Sequence, residues 1–516
     1  MPSRVGRVTT HHPAAVIVLA AGEGTRMKSA TPKVLHRIGG RTLLGHALYA
    51  ARQASPQHLA VVVRHERDQV AAHVGELDPQ VVVADQDEVK GTGRACECGL
   101  DALPADLAGT VLVTMGDVPL LTGQTLVELT ERHESSGAAV TVITAELDDA
   151  KAYGRVVRDE AGDVVAIMEY KDALAHRSAG DDLAHVVDVR EINSGIYAFD
   201  AQVLRAALAE VGTDNAQGEK YLTDVIAIAR RDGRKVSAHL VDDLWQTEGV
   251  NDRVQLAALG KELNRRTVEH WMREGVTVVD PDTTWIDAEV TIGRDTVVRP
   301  GTQLLGATTI GADAVIGPDT TLTDTEVGDG ASVVRTQAEA ALIGAEATVG
   351  PFSYLRPGTV LGARGKIGGF VETKNAQIGD GAKVPHLTYC GDATIGEGAN
   401  IGAGTIFANY DGVAKHHTTV GRHSFVGSDS VLVAPVHIAD GAYVAAGSTI
   451  EGTVAPGQIA VARSRQRNVD GWVARRRAGT RTAAAAEAAL AAQASEAPSG
   501  QAPHTSAPTP PPRRAE

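Results

Sequence analysis

Aliphatic residues recur at every sixth position through the second half of the chain. Ile292, Val298, Leu304, Ile310, Ile316 and Leu322 form one run, and Val420, Val426, Leu432, Ile438, Val444 and Ile450 form another. Glycine often follows, as in Ile292-Gly293, Ile310-Gly311, Val420-Gly421 and Val426-Gly427. A period of six fits neither a helix nor an ordinary strand. It predicts a hexapeptide β-helix, a triangular coil in which each face contributes one inward side chain. The pattern runs from about residue 276 to 462, or roughly ten coils at three hexapeptides each, and the domain is placed at 276–473.

The first half reads differently. Short β-rich runs at 16–20, 60–63, 81–84, 111–115 and 140–145 alternate with polar or amphipathic stretches long enough for helices. That alternation predicts an α/β domain over 14–250 with a mainly parallel, Rossmann-like sheet. Leu256, Leu259 and Leu263 at helical spacing, among Lys261, Glu262, Arg265 and Arg266, predict a linking helix within 251–275. Residues 1–13 and the Ala- then Pro-rich stretch 474–516 are expected to be disordered, because neither can bury enough apolar surface to fold alone.

Composition narrows the chemistry. The net charge of −15, from 49 Lys and Arg against 64 Asp and Glu, argues against nucleic acid as a partner, since that needs a net basic surface. Only 3% of residues are aromatic, as befits a coil interior stacked from Val, Ile and Leu. Cys96 and Cys98 are too close for an easy bridge, and Cys390 stands alone, so a reducing compartment is expected. No signal peptide is expected from the first dozen residues, and no apolar run approaches the ~20 residues of a membrane span. A soluble, cytoplasmic protein with no membrane contact is the expectation.

A buried strand, Val16-Ile17-Val18-Leu19, runs directly into Ala20-Ala21-Gly22-Glu23-Gly24-Thr25-Arg26-Met27, with Pro32-Lys33 following. Glycines after a strand let backbone N–H groups approach an anion, and Arg26 and Lys33 supply charge to neutralise phosphates. The loop lacks the Gly-Lys-Ser/Thr of a P-loop and the third glycine of the dinucleotide fingerprint. It resembles instead the signature of sugar-1-phosphate nucleotidyltransferases. Further matches follow in order: Gln86 with Gly91-Thr92-Gly93, Gly116-Asp117-Val118-Pro119-Leu120, Tyr153-Gly154-Arg155, Glu169-Tyr170-Lys171, Glu191-Ile192-Asn193-Ser194-Gly195 and Glu248-Gly249-Val250-Asn251. With the long hexapeptide region behind them, residues 14 to about 473 resemble the bacterial bifunctional N-acetylglucosamine-1-phosphate uridyltransferases/glucosamine-1-phosphate N-acetyltransferases. Three positions depart from that pattern. Arg94 stands where His or Gln is expected, Lys90 where an apolar residue is expected, and Met115 where a small or aromatic residue is common.

The resemblance implies an N-terminal uridyltransferase and a C-terminal left-handed parallel β-helix with acetyltransferase activity. Together they make UDP-N-acetylglucosamine, a peptidoglycan precursor. It implies one or two Mg²⁺ ions held by Asp117 and Asn251, hard oxygen donors suited to that cation. Arg26 and Lys33 would act on the phosphates. Leu19, Ala20, Ala21, Gly22, Gln86, Gly91 and Thr92 would hold UTP, and Gly154, Glu169 and Asn193 the amino sugar, with Lys33 and Asn251 contacting the nucleotide as well.

The ladder also breaks. After Ile367 the register slips before Ile378, with Lys374 in the slip, and after Val384 it slips before Ile395, with His386 and Tyr389 there. A longer excursion from 408 to 419 holds Asn409-Tyr410-Asp411-Gly412 and Lys415, while a slip between Leu322 and Ile343 carries no recognisable chemistry. Insertions in solenoids map to loops on one face, often the binding face. An amine nucleophile must lose a proton before it attacks a thioester, and a histidine suits that task. The resemblance makes His386 that base. It assigns Arg356, Lys374, Tyr389, Asn400 and Lys415 to glucosamine-1-phosphate, and Ala403, Asn409, Tyr410, Ser428, Ala446 and Arg463 to acetyl-coenzyme A. It further implies a homotrimer with the acetyl-transfer site built between neighbours. His416-His417 reads as a solvated pair. The competing reading is a single-activity sugar-1-phosphate nucleotidyltransferase whose β-helix only assembles or regulates.

Overall fold

The computed structural model describes residues 11–150, 153–215 and 217–496. It divides into two compact units, Met1–Val461 and Ala462–Glu516.

The N-terminal part of the first unit is built on one sheet. Its strands lie in the order Val236–Leu240, Val140–Glu146, Glu191–Asp200, Thr110–Met115, Ala15–Leu19, His58–Val63 and Val82–Asp85. Glu191–Asp200 runs antiparallel to both neighbours, and the other pairs in that order are parallel. All five expected strands are present. Alternate residues of Ala15–Leu19 face opposite cores, Ile17 and Leu19 on one side and Val16 and Val18 on the other. Helices cover both faces, so the strand reads as a continuous apolar run rather than an alternating one. The strand ends of Ala15–Leu19 and Thr110–Met115 carry the glycine-rich loop and Asp117, where open α/β sheets gather ligands.

The linking helix is Arg253–Arg273, begun by the Asp252 side chain, which accepts hydrogen bonds from Val254 N and Gln255 N. Leu259 is buried with Met27, Ile38, Leu43, Leu120 and Val250, and Leu256 and Leu263 pack against them. The other side of the helix meets the first coil. Val268 joins the β-helix core, and buried Asn264 donates to Thr284 O (2.7 Å) and accepts from Ile286 N (2.9 Å). A single amide thus satisfies the otherwise open edge of the coil stack.

The β-helix follows as parallel strands, most of two to four residues and two of seven (Glu372–Ile378 and Tyr389–Ile395), from Thr277–Val278 to Ile459–Ala460. One face is a stack of 11 strands. Every residue of the two six-residue ladders is buried in one continuous core. Leu304 stacks on Leu322 and Leu432 on Ile450, 18 residues apart in each case.

The register breaks turn out to be of two kinds. The slips that hold Lys374 and His386 are shortened coils, not insertions: Leu361 pairs with Ile378 and Ile367 with Val384, 17 residues apart. The missing residue is absorbed at corners where Asn375, Leu387 and Asp392 adopt positive φ. The slip after Leu322 is a coil of 16, in which Leu322 stacks on Ala338. Only the excursion at 408–419 is a true insertion, for Phe407 stacks on Leu432, 25 residues on. The ladder itself never stops. Thr373, Cys390 and Ala338 fill inward positions and are fully or almost fully buried.

The second unit contains helices Trp472–Arg476 and Arg481–Glu496. The expected end of the β-helix domain at 473 falls inside this unit. The expectation of disorder from 474 fails over 481–496, where thirteen of the sixteen residues of RTAAAAEAALAAQASE are Ala, Leu, Arg or Glu, strong helix formers. Residues 497–516 and 1–10 lie outside the described residues. Pro13, in the expected N-terminal disordered stretch, accepts a hydrogen bond from Gln57 N (3.2 Å).

Candidate functional sites on the two halves

A cavity of about 390 Å³ opens at the strand ends of the α/β sheet. It is lined by Leu19, Ala20, Ala21, Gly22, Lys33, Gln86, Gly91, Thr92 and Asp117 among the expected residues. Arg64, Lys90 and Glu219 line it as well. The first and last had not been singled out from the sequence, and Lys90 had been noted only as a departure. Gly24 turns the loop with φ +62°, and a β-carbon there would sit 2.6 Å from Lys33 Cβ. Only glycine lets the loop close against Lys33 in this way. Gly91 has φ +113°, and a β-carbon on it would lie 2.2 Å from Lys220 O.

Lys33 Nζ donates to Asp117 Oδ2, and Arg26 Nη2 donates to Asn251 Oδ1 at 2.8 Å. Val250 N donates to Asp117 O (2.9 Å), which ties the Glu248–Asn251 turn to the strand end. The four residues expected at the phosphates and the metal are therefore one cluster. One carboxylate and one amide oxygen converge there, a donor set that fits Mg²⁺, an ion that keeps most of its water. Among the described residues no group of three or more His, Cys, Asp or Glu could hold a metal by itself.

Gly154, Glu169 and Asn193 form a second cluster beside it. Asn193 N donates to Gly154 O (2.9 Å), and a β-carbon on Gly154 would lie 3.6 Å from Glu169 Oε1. Asn193 Oδ1 accepts from Tyr197 OH (2.9 Å) and Gly195 N (3.0 Å). Burial, with the charges of Asp172 and Asp224 nearby, pushes the Glu169 carboxyl above its ordinary range. Tyr153 OH donates to Glu248 Oε2 (3.1 Å), a link across the site that no spacing in the sequence announces.

On the β-helix, the two shortened coils and the insertion bring their polar residues together. Asp392 accepts from Asn375 Nδ2 (2.9 Å) and Asn409 Nδ2 (2.5 Å). Asn409 Nδ2 also reaches Tyr389 OH (3.4 Å). Lys374 and Lys415 are close enough that Lys415 draws the Lys374 ammonium below the usual lysine range. Burial opposes ionisation of Asp392, but the two amides and the two lysines outweigh it and hold its carboxyl low. Arg356 Nη1 donates to Glu372 Oε1 (2.9 Å), and Glu372 pairs in register with Tyr389. Asp392, Asn375 and Glu372 were not anticipated. The only sequence signal for the first two is the shortening of the coil at their corner.

His386 is exposed and lies on the adjacent face, its carbonyl accepting from Gly404 N (3.2 Å). Asn400 pairs in register with Lys383 and Phe425 on that same face. Ala403, Ser428 and Ala446 are register equivalents on three successive coils, a column of small residues along one corner. Tyr410 is 59% exposed on the insertion. Arg463 belongs to the second unit. The reading of His416-His417 as a solvated pair is corrected in part: both remain at the surface, but His416 pairs with Asp411 (2.7 Å) within the insertion and His417 with Thr394 Oγ1 (2.9 Å), which ties the insertion to the coil.

The architecture and the two clusters define a nucleotidyltransferase joined to a hexapeptide acyltransferase. Residues 16–214 match the MobA-like NTP transferase domain family, and residues 417–452 match the bacterial transferase hexapeptide (six repeats) family. The chain is 59% identical over 477 residues to the bifunctional protein GlmU of Pseudarthrobacter chlorophenolicus, covering 92% of this chain and 95% of that one. It is 58% identical over 480 residues to that of Micrococcus luteus (92% and 96%) and 57% identical over 477 residues to that of Corynebacterium glutamicum (92% and 96%). The chain belongs to the bifunctional GlmU family, the acetyltransferase and uridyltransferase of UDP-N-acetylglucosamine synthesis.

Proposed function

We propose that the cavity at the sheet edge performs uridyl transfer and the Lys374–Asp392–Asn409 cluster acetyl transfer, with residue roles as follows. In the first reaction a phosphate oxygen of N-acetylglucosamine-1-phosphate attacks the α-phosphorus of UTP, and the bond to pyrophosphate breaks. Catalysis of such a step is mostly alignment and charge neutralisation. Leu19 to Gly22, Gln86, Gly91 and Thr92 hold the nucleoside, Arg26 and Lys33 take the phosphates, and Gly154, Glu169 and Asn193 read the amino sugar. Asp117 and Asn251 would hold Mg²⁺, which when bound neutralises phosphate charge. The observation that carries this reading is the Lys33–Asp117 pair in the cavity lining, to which Val250 ties the neighbouring Arg26–Asn251 pair.

In the second reaction His386 removes a proton from the ammonium of glucosamine-1-phosphate. The amine then attacks the thioester carbonyl of acetyl-coenzyme A, the C–S bond breaks, and the thiol departs with a proton. Two adjacent lysines, Lys374 and Lys415, with Arg356 nearby, suit the sugar phosphate. Tyr389 and Asn400 complete the sugar pocket. The column Ala403, Ser428 and Ala446 leaves room for the extended coenzyme, with Asn409 and Tyr410 as its further contacts.

A homotrimer completes the second site. Phe352, Phe370 and Leu387, 51%, 64% and 62% exposed, form an apolar ridge on one corner next to His386, with the two rings stacked at 5.2 Å. Exposed apolar ridges of this kind favour association. The cytoplasm, where UTP and acetyl-coenzyme A are at hand, is the compartment. Among the described residues no helix is long and apolar enough to cross a membrane.

The test is a pair of substitutions. Asp117→Ala should abolish uridyl transfer and leave acetyl transfer largely intact, and His386→Ala should do the reverse. Loss of both activities from either folded variant would overturn the two-site assignment.

A further inference from the structure

Arg94 departs from the family pattern, and its surroundings give the departure a role. Its guanidinium donates to Asp87 (Nη2 to Oδ2, 2.6 Å) and to Glu97 (Nη1 to Oε2, 2.6 Å). Lys220 Nζ donates to the same Glu97 oxygen at 2.8 Å. Two acids and two bases thus form a closed, neutral network in which Glu97 joins the halves. Its inner members are sheltered, with side-chain exposures of 20% for Glu97 and 12% for Lys220.

The network fastens two pieces of chain that meet at the nucleoside end of the cavity. One is 86–94, which carries Gln86, Gly91 and Thr92. The other is 219–222. Gly93 N donates to Lys220 O (2.8 Å), Lys220 N to Lys90 O (2.9 Å), and Leu222 N to Thr92 Oγ1 (3.2 Å). Gln86 Nε2 in turn donates to Val89 O (2.9 Å) and Gly91 O (3.2 Å). Gly91 packs against the Lys220 backbone so closely that a β-carbon would lie 2.2 Å from Lys220 O. Burial works against an ionised Glu97, yet the hydrogen bonds from Lys220 and Arg94 prevail and hold its carboxyl below the ordinary range.

We propose that Glu97 is a positioning residue for UTP: by bridging Arg94 and Lys220 it holds the Gln86–Thr92 loop in the shape that receives the base. It touches no substrate and acts through Gly91, Thr92 and Gln86. This rests on the assignment of that loop to the nucleoside.

The experiment is steady-state uridyl transfer with UTP varied, on the full-length protein, with acetyl transfer in the same sample reporting folded enzyme. Glu97→Gln removes the charge and keeps the shape. Because two charge-assisted hydrogen bonds are weakened, KM for UTP should rise about tenfold while kcat stays within about twofold. Lys220→Met should act in the same direction, and the double variant should be little worse than either alone, because both break one network. Arg94→Gln, a milder change at a more exposed group, should raise KM by less. An unchanged KM for UTP in active Glu97→Gln protein, or additive effects in the double variant, would overturn the proposal. A purely structural role would lower the melting temperature without moving KM. Gln86→Ala serves as the control. If it also leaves KM for UTP unchanged, the nucleoside assignment itself fails; if it alone raises KM, only the network role fails.

Discussion

Both oxygens proposed as Mg²⁺ ligands are held by cations of the protein itself. Lys33 donates to Asp117 and Arg26 to Asn251. A divalent ion at these oxygens competes with both donors for their lone pairs and for the local charge. The Lys33–Asp117 pair is sheltered, with side-chain exposures of 13% and 20%, so solvent screening takes little from it. A hydrogen bond to a charged group of this kind is worth about 1.5–3 kcal/mol. Lys33→Ala should therefore tighten divalent-ion binding to the nucleotide-free protein by about tenfold to a hundredfold. The same change should lower uridyl transfer, because the proposed role of the ammonium is on a phosphate. The two readouts move in opposite directions, which a general loss of structure cannot produce. Mn²⁺ is a suitable probe, since electron paramagnetic resonance counts the free ion directly in a titration without UTP. Asp117→Asn, titrated alongside, should weaken binding. Unchanged or weaker Mn²⁺ binding in folded Lys33→Ala would show that the lysine does not compete for the metal position.

Glu169 carries a pH prediction. Its carboxyl lies above the ordinary value of 4.5 because it is buried, so the fold favours the protonated form. The sign follows: the ionised group costs stability above its raised pKa, and the cost fades as pH falls toward 4.5. Glu169→Gln should stabilise the protein to chemical denaturation near neutral pH, lose that advantage below about pH 4.5, and raise KM for N-acetylglucosamine-1-phosphate; equal stability at neutral pH would refute the account. At the exposed ridge, Phe370→Glu should convert the proposed trimer to single chains in sedimentation, with acetyl transfer lost and uridyl transfer retained. A trimer that survives the change would place the contact elsewhere.

The parts of this protein that were legible in its sequence share a physical cause. Inward positions of a stacked coil admit only certain side chains, so Leu304, Leu322 and Leu432 declare the β-helix residue by residue. The loop from Gly22 to Lys33 is legible for a similar reason: close backbone approach demands glycine, and phosphate demands fixed cations. What stayed hidden depends on residues that satisfy the same positions by other means. Thr373 and Cys390 fill the core as well as an aliphatic residue does, so the ladder looked interrupted where it was only shortened. Asp392 joins Asn375 and Asn409 only after two coils and an insertion stack, a contact no linear spacing records. The Ala-rich stretch after Arg481 was misjudged because little apolar surface was taken to mean little order, whereas alanine favours helix on its own account.

The two proposed sites would receive their phosphate-bearing substrates in opposite ways. At the sheet edge Lys33 and Arg26 are paired with Asp117 and Asn251, so a triphosphate that takes these cations must exchange partners. On the β-helix Lys374 and Lys415 repel each other, and Asp392 offsets only part of that charge. A sugar phosphate placed there relieves an existing repulsion between the lysines, and Arg356 alone of the proposed cations is already paired, with Glu372. The first arrangement suits a reaction in which metal and nucleotide must arrive together for the charges to balance. The second suits capture of a singly phosphorylated sugar by charge alone. The difference makes salt a discriminating variable: rising ionic strength should weaken capture at the exposed lysine pair more than at the sheltered cavity.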